Sequence, residues 1–186
     1  MTPVTCRSAA LAALLALSAC GHEPETPPLP LTADTPISRS EAANAIYASE
    51  NTASGRMQLV DGHYADDDLV TGDLDVTEAR GDVDGDGRPD LAVLLVTGTG
   101  GSGVFRELYL LRRTPEGLAV SAPALLGDRV EVNALRIEQH DIVVDLLVQG
   151  ENDPLCCPTQ AVTYRFRLVA GELIETTGRQ RVYLKQ

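Results

Sequence analysis

The chain has 186 residues, 27 acidic and 15 basic, for a formal net charge of −12. Aromatic residues make up 4% and Trp is absent, so one domain's worth of chain must build its core from Leu, Val, Ile and Ala. The acidic balance argues against nucleic acid as a partner, because phosphate binding needs clustered Lys and Arg.

Residues 1–19 read as a secretory leader. Arg7 supplies a short positive region, and Ser8–Leu17 is an apolar run too short to span a bilayer, which takes about 20 helical residues. Leu17-Ser18-Ala19-Cys20 resembles the lipobox of bacterial lipoproteins: an apolar residue, two small ones, then Cys. The resemblance implies cleavage before Cys20, lipidation of its sulfur, and a soluble domain anchored to a membrane, since several acyl chains hold where one would not. Gly21, not Asp, follows the Cys, which in Gram-negative lipoproteins goes with export to the outer membrane, facing the periplasm. Cleavage removes Arg7 and no acid, leaving 14 bases and 27 acids. Residues 20–37 are proline-rich after the Cys, favour extended polyproline II, and read as a tether.

The folded domain is expected over 38–176. Ser40–Tyr47 reads as one short helix, capped by Ser38 or Ser40, with Ala43, Ile46 and Tyr47 on its face. Period two then takes over. Met57 and Leu59 precede an Asp61-Gly62 turn, and Leu91–Val96 is a continuous apolar run of strand length. Phe105, Leu108 and Leu110 lie on a strand ending at the turn Thr114-Pro-Glu-Gly117. Val130, Val132, Leu135 and Ile137 mark a slightly irregular strand that turns at Gln139-His140-Asp141 into Ile142–Val148. Ala161–Val169 alternates, Ala170-Gly171 turns, and Leu173-Ile174 returns. Residues 177–186 form a polar tail. The expected fold is mainly β, an antiparallel meander or curved sheet of about seven to nine short strands, with one short N-terminal helix.

Residues 61–90 hold eleven acids and two bases. Such density is costly unless positive charge relieves it. Within it, Asp82-Val-Asp84-Gly-Asp86-Gly-Arg88-Pro-Asp90 places carboxylates at loop positions 1, 3, 5 and 9 and Gly87 at position 6. A tight turn of this kind can converge Asp82, Asp84, Asp86, Asp90 and the backbone carbonyl of Arg88 on one hard cation. Position 12, a bidentate Glu in an EF-hand, is Val93, and no helices flank the loop. It runs instead into an apolar strand. In this it resembles the D-x-D-G-D-G-x-x-D calcium loops of FG-GAP and VCBS-type β-propeller repeats, although a single copy supplies no propeller. The expected cofactor is Ca²⁺, since Mg²⁺ keeps more of its waters and transition metals want His or Cys.

Two other patterns carry less. Gly98-Thr-Gly100-Gly-Ser-Gly103 satisfies G-x-G-x-x-G, but a turn follows within strand length, leaving no room for a dinucleotide-binding crossover helix, so no nucleotide is expected. His63 and His140 read as two unrelated surface histidines. Cys156 and Cys157 are the two thiols left after the leader departs and Cys20 takes lipid. A vicinal disulfide, two buried thiols, and a redox or soft-metal site compete there.

Leu59–Tyr64, Gly81–Gly87 with Asp90, Gly100–Gly103, Leu126–Val130 and Asp153-Pro-Leu-Cys-Cys-Pro-Thr159 occur in that order. Over roughly residues 55–175 this resembles a family of bacterial secreted proteins and lipoproteins with a D-P-x-C-C-P signature and, more distantly, the LppP/LprE-type lipoproteins. The resemblance implies export and architecture and brings no activity. With no catalytic constellation assembled, the expectation is a non-enzymatic envelope module, anchored through Cys20, with an unidentified envelope partner. The alternative is a thiol-active envelope protein using Cys156 and Cys157.

Overall fold

A run such as Leu91–Val96 presents apolar side chains alternately to both faces of a sheet, so both faces need cover. The computed structural model describes residues 35–67 and 69–177, and in it this run has cover on both sides. The leader, Cys20, the tether up to residue 34 and the tail beyond 177 lie outside the described residues.

The elements in order are α1 (Arg39–Ala43), β1 (Ile46–Ala48), β2 (Arg56–Gln58), β3 (His63–Ala65), β4 (Val70–Gly81), β5 (Asp90–Thr99) and β6 (Phe105–Thr114). Then come β7 (Gly117–Val120), β8 (Ala124–Asp128), β9 (Glu131–Glu138), β10 (Asp141–Val148), β11 (Gln160–Val169) and β12 (Glu172–Glu175). They form three antiparallel sheets, and the fold is mainly β as expected. Among the described residues twelve strands rather than seven to nine are present, because β1, β2 and β3 are three residues each and β4 is hidden in the acidic run.

The central sheet runs β3-β4-β5-β6-β7, with β8 pairing the opening half of β6 and β7 its closing half. On one face Ala92, Leu94, Leu108 and Leu110 meet Ile142, Val144, Leu146, Val162 and Phe166 from the sheet β12-β11-β10-β9. On the other, Leu91, Val93, Leu95, Tyr109 and Leu111 meet an N-terminal cap of Ile37, Ala42, Tyr47, Met57 and Leu59. At roughly 1.5–3 kcal/mol for each large apolar side chain fully buried, these two faces carry most of the favourable free energy of folding.

The cap begins earlier than the sequence suggests. Ile37 falls in the proline-rich stretch yet is fully buried, and its carbonyl accepts a hydrogen bond from Arg80 Nη1 at 2.5 Å. The helix is shorter than expected. Ser38 is its N-cap in a capping box with Glu41, Ala42 is its buried residue, and Ile46 and Tyr47 pass into β1. Tyr47 stacks edge-on against Tyr109, ring centroids 4.9 Å apart.

Turns fall where the sequence places them. Asp61-Gly62 and Ala170-Gly171 both take positive φ at each residue, as two-residue hairpin turns prefer. The irregularity in β9 is a bulge: Asp145 faces Ala134 while Leu146 faces Val132, so Asn133 is the extra residue. On the outer face of this sheet Val143 lies between Arg136 and Arg165, and it is fully buried. Their aliphatic stems cover it while their charges reach Glu138 and Asp145.

Glu107 is the charged residue that this packing strains. It is 7% exposed on β6, and burial, foremost, pushes its carboxyl above the usual range. The Tyr109 hydroxyl lies 2.8 Å from Ala48 O and 3.1 Å from Glu107 Oε2. One hydroxyl proton cannot serve two acceptors, so both contacts are satisfied when Glu107 is protonated and donates to the Tyr109 oxygen. A carboxyl raised by folding adds stability below its ordinary pKa and loses it as pH rises through the raised one. Wild type should therefore gain stability relative to Glu107→Gln as pH falls from neutral toward 4.5, the ordinary Glu value. Urea melts of both proteins across that range check the sign.

Candidate metal centre

The loop between β4 and β5 is closed at its base by the Gly81–Asp90 strand pair. Val83 points down and is 5% exposed in the core shared with the β9–β12 sheet. That plug turns its neighbours Asp82 and Asp84 outward. Gly85 and Gly87 take φ of +82° and +83°, which residues with a Cβ resist, and the chain can double back.

The doubled-back backbone aims its N–H groups at Asp82. Oδ1 accepts from Gly85 at 2.7 Å and Asp86 at 3.1 Å, and Oδ2 accepts from Gly87 at 3.0 Å. Asp84 Oδ1 accepts from the Asp86 N–H, and Asp86 Oδ1 from the Arg88 N–H. Asp82, Asp84 and Asp86 thereby bring one carboxylate oxygen each within 4.8 Å of one another. Calcium bonds its oxygens at about 2.3–2.6 Å, so two ligands of one ion sit up to about 5 Å apart. The three carboxylates meet that limit.

Asp90, the ninth position, does not join them. It is 2% exposed at the base of the loop, and its Oδ2 accepts the N–H groups of Val83 at 2.9 Å and Asp84 at 3.4 Å. Burial, foremost, pushes its carboxyl up to about 6, with the charges of Asp84 and Asp86 adding to the rise. Spacing places Asp90 near the loop, but its position at the start of β5 sends it under the turn, where it fastens backbone. The Arg88 side chain folds back onto Asp86 Oδ2, by Nε at 2.8 Å and by Nη2, and also reaches the Arg113 carbonyl.

The acidic run is relieved by arginines more than its sequence suggests. Glu78 pairs with Arg39 and Arg80, Asp75 lies 3.8 Å from Arg106, and His63 pairs with Asp73. Within the loop Arg112 reaches Asp84 at 3.0 Å and Arg88 holds Asp86, an attraction that keeps the Asp86 carboxyl below its usual range. Repulsion alone therefore does not require an ion. Arg39, Arg106 and Arg112 stand outside residues 61–90, so their part is invisible in that stretch of sequence.

One neighbour of the loop is a residue that the sequence reads only as a surface histidine. His140, in the β9–β10 turn, places Nδ1 2.9 Å from the carbonyl of Asp82. It is exposed yet docked on the loop, and it ties the loop to the second sheet across 58 residues of chain. His63 is elsewhere, paired with Asp73, so the two histidines are unrelated to each other but not equally free of the site.

The remaining sequence motifs lie apart. Gly98–Gly103 spans the end of β5 and the hairpin to antiparallel β6, which is not a strand-to-helix phosphate cradle. Cys156 and Cys157 form a disulfide with each other in the exposed β10–β11 connection. Asp153 shapes that connection by accepting the N–H groups of Gly150 and Thr159, which hold its carboxyl below the usual range. Comparison with protein-family models, with curated proteins and with solved structures yields no match to this chain.

Arg112 competes with any cation for Asp84. The pair is exposed, and such pairs are worth about 0–1 kcal/mol, where about 1.4 kcal/mol is tenfold in affinity. If the loop takes calcium, Arg112→Gln should therefore tighten the binding by up to roughly fivefold. Calcium titration of the two proteins by calorimetry reads this directly, and equal affinities would place the ion away from Asp84.

Proposed function

We propose that the chain is a lipid-anchored protein of the bacterial cell envelope. Its β domain is stabilised by calcium and acts as a non-enzymatic binding or structural module. The observation that supports the calcium reading is the convergence of the Asp82, Asp84 and Asp86 carboxylates in a loop whose backbone N–H groups already orient Asp82. In this reading the Arg88 carbonyl and water complete the shell, and Asp90 holds the loop base. The anchor rests on the lipobox ending at Cys20, and outer-membrane placement on Gly21.

A second reading, a thiol-active envelope protein, is favoured by the exposed Cys156–Cys157 disulfide. The two readings separate on which ligand moves the melting temperature and on whether the protein exchanges disulfides with a thiol probe.

The site lacks a position-12 carboxylate, so its Kd should fall in the range of extracellular modules, on the order of 10⁻⁴–10⁻³ M. Millimolar calcium then adds roughly 0.4–1.4 kcal/mol. The melting temperature should rise by a few degrees in wild type and not in Asp84→Ala, with magnesium doing much less. A calorimetric scan with no calcium-dependent shift, or the same shift in the variant, would leave only an acidic turn. Loss of the Arg112 pair should also make metal-free Asp84→Ala slightly less stable than wild type.

The anchor has its own test. Cys20→Ala should leave the exported protein in the aqueous phase of a detergent partition, whereas wild type enters the detergent phase. Equal partitioning would sink the assignment.

A further inference from the structure

Period two sets Phe105, Glu107 and Tyr109 on one face of β6. The N-terminal cap covers Tyr109. Toward the start of the strand it gives way to a cavity of about 350 Å³. Phe105 and Glu107 line it from β6, Leu125 from β8, Glu50 and Asn51 from the connection after β1, and Leu173 from β12. This volume is at the small end of ligand sites.

Its chemistry is uneven in an informative way. The walls are an aromatic ring and aliphatic side chains, yet the cavity is also lined by a carboxylate more than nine-tenths buried, Glu107. The Glu107 hydrogen bond to the Tyr109 hydroxyl is to a neutral group, and among the described residues no Arg, Lys or His forms an ion pair with Glu107. Glu50, of the same sign, lines the same cavity and adds to the upward push on the Glu107 carboxyl. In its ionised form a buried Glu107 without a counter-charge is unfavourable, and a cation entering the cavity would offset that cost as the carboxyl gives up its proton to solvent.

The lining also discriminates among cations. Calcium takes six to eight oxygens, and two carboxylates with one amide, set among Phe and Leu, are a poor shell for it. An ammonium has three donors, enough for Glu107, Glu50 and the Asn51 carbonyl oxygen. The carbon chain attached to it would bury against Leu125 and Leu173, with the Phe105 ring beside the charge. Gly103 backs that ring: a Cβ there would stand 2.8 Å from Phe105 Cε2 and Cζ.

We propose that this cavity is a binding site for a small organic cation, an alkylammonium with a short aliphatic body, its charge held by Glu107 and Glu50. The site is separate from the calcium loop and does not depend on it.

The test is calorimetric titration of the mature full chain with cadaverine, with n-pentanol as the neutral match. Saturable single-site binding of cadaverine is expected, with pentanol at least about tenfold weaker. Glu107→Gln should weaken cadaverine about tenfold by removing the charged acceptor. Leu125→Lys sits at the partly exposed rim and needs no change in the buried strand. Its own ammonium should occupy the cavity, raise the melting temperature and block cadaverine. Asp84→Ala should bind cadaverine as wild type does, so failure here and failure of the calcium reading are distinguishable. No saturable binding, equal binding of pentanol, or undiminished binding in both cavity variants would overturn the proposal.

Discussion

The domain depends on the burial of β5 and β6 from both sides. Their side chains alternate between two separate apolar clusters, one shared with the β9–β12 sheet and one with the N-terminal cap. Neither the cap nor the second sheet has a comparable partner of its own. The cap is one helical turn and two three-residue strands, far too little to bury a core alone. Its order is borrowed from Tyr109, Leu111, Val93 and Leu95 beneath it. The Asp82–Asp90 loop borrows in the same way, through Val83 in one core and Asp90 at the head of β5.

Charge is distributed around that frame by arginine. The acids of β4 and its loop draw on Arg39 from the cap and on Arg106 and Arg112 from β6. The outer face of the second sheet does likewise with Arg136, Arg165 and Arg167 against Glu138, Asp145 and Asp141. Exposed pairs of this kind each contribute little, about 0–1 kcal/mol. Their larger effect is to let a strongly acidic chain run long strands side by side without lines of like charge facing each other. At the loop Arg112 and Arg88 set a threshold: a cation must displace or share their hold on Asp84 and Asp86.

Legibility in the sequence followed the range of the interactions involved. β5 was readable because burial on both faces leaves an uninterrupted apolar run, and β9 because the extra Asn133 breaks its period. Asp61-Gly62 and Ala170-Gly171 were readable because their turns depend on local backbone preference. β4 was not readable: Asp73, Asp75 and Glu78 look like loop until their partners, brought from other elements, are in place. The triad Asp82, Asp84 and Asp86 could be read from spacing alone, since one turn builds it. Asp90 could not be placed, because spacing fixes order along a loop and not depth beneath it. His140 approaches from another sheet and leaves no local trace, and the Glu107 cavity needs three strands and the connection after β1 before it exists.

The arrangement of strand lengths bears on how copies of this domain behave when crowded. Every strand of ten residues or more, β4, β5, β6 and β11, has a strand paired on each side over at least part of its length. The sheets end instead in β1, β2, β3, β7, β8 and β12, of three to five residues, and in β9, which is kinked by its bulge. Where β4 runs beyond β3, its own register break at Leu74–Glu78 interrupts the ladder. Among the described residues a neighbouring molecule therefore finds no long, straight row of free amides and carbonyls on which to add a strand. Such a domain can be concentrated without its sheets templating one another into aggregates.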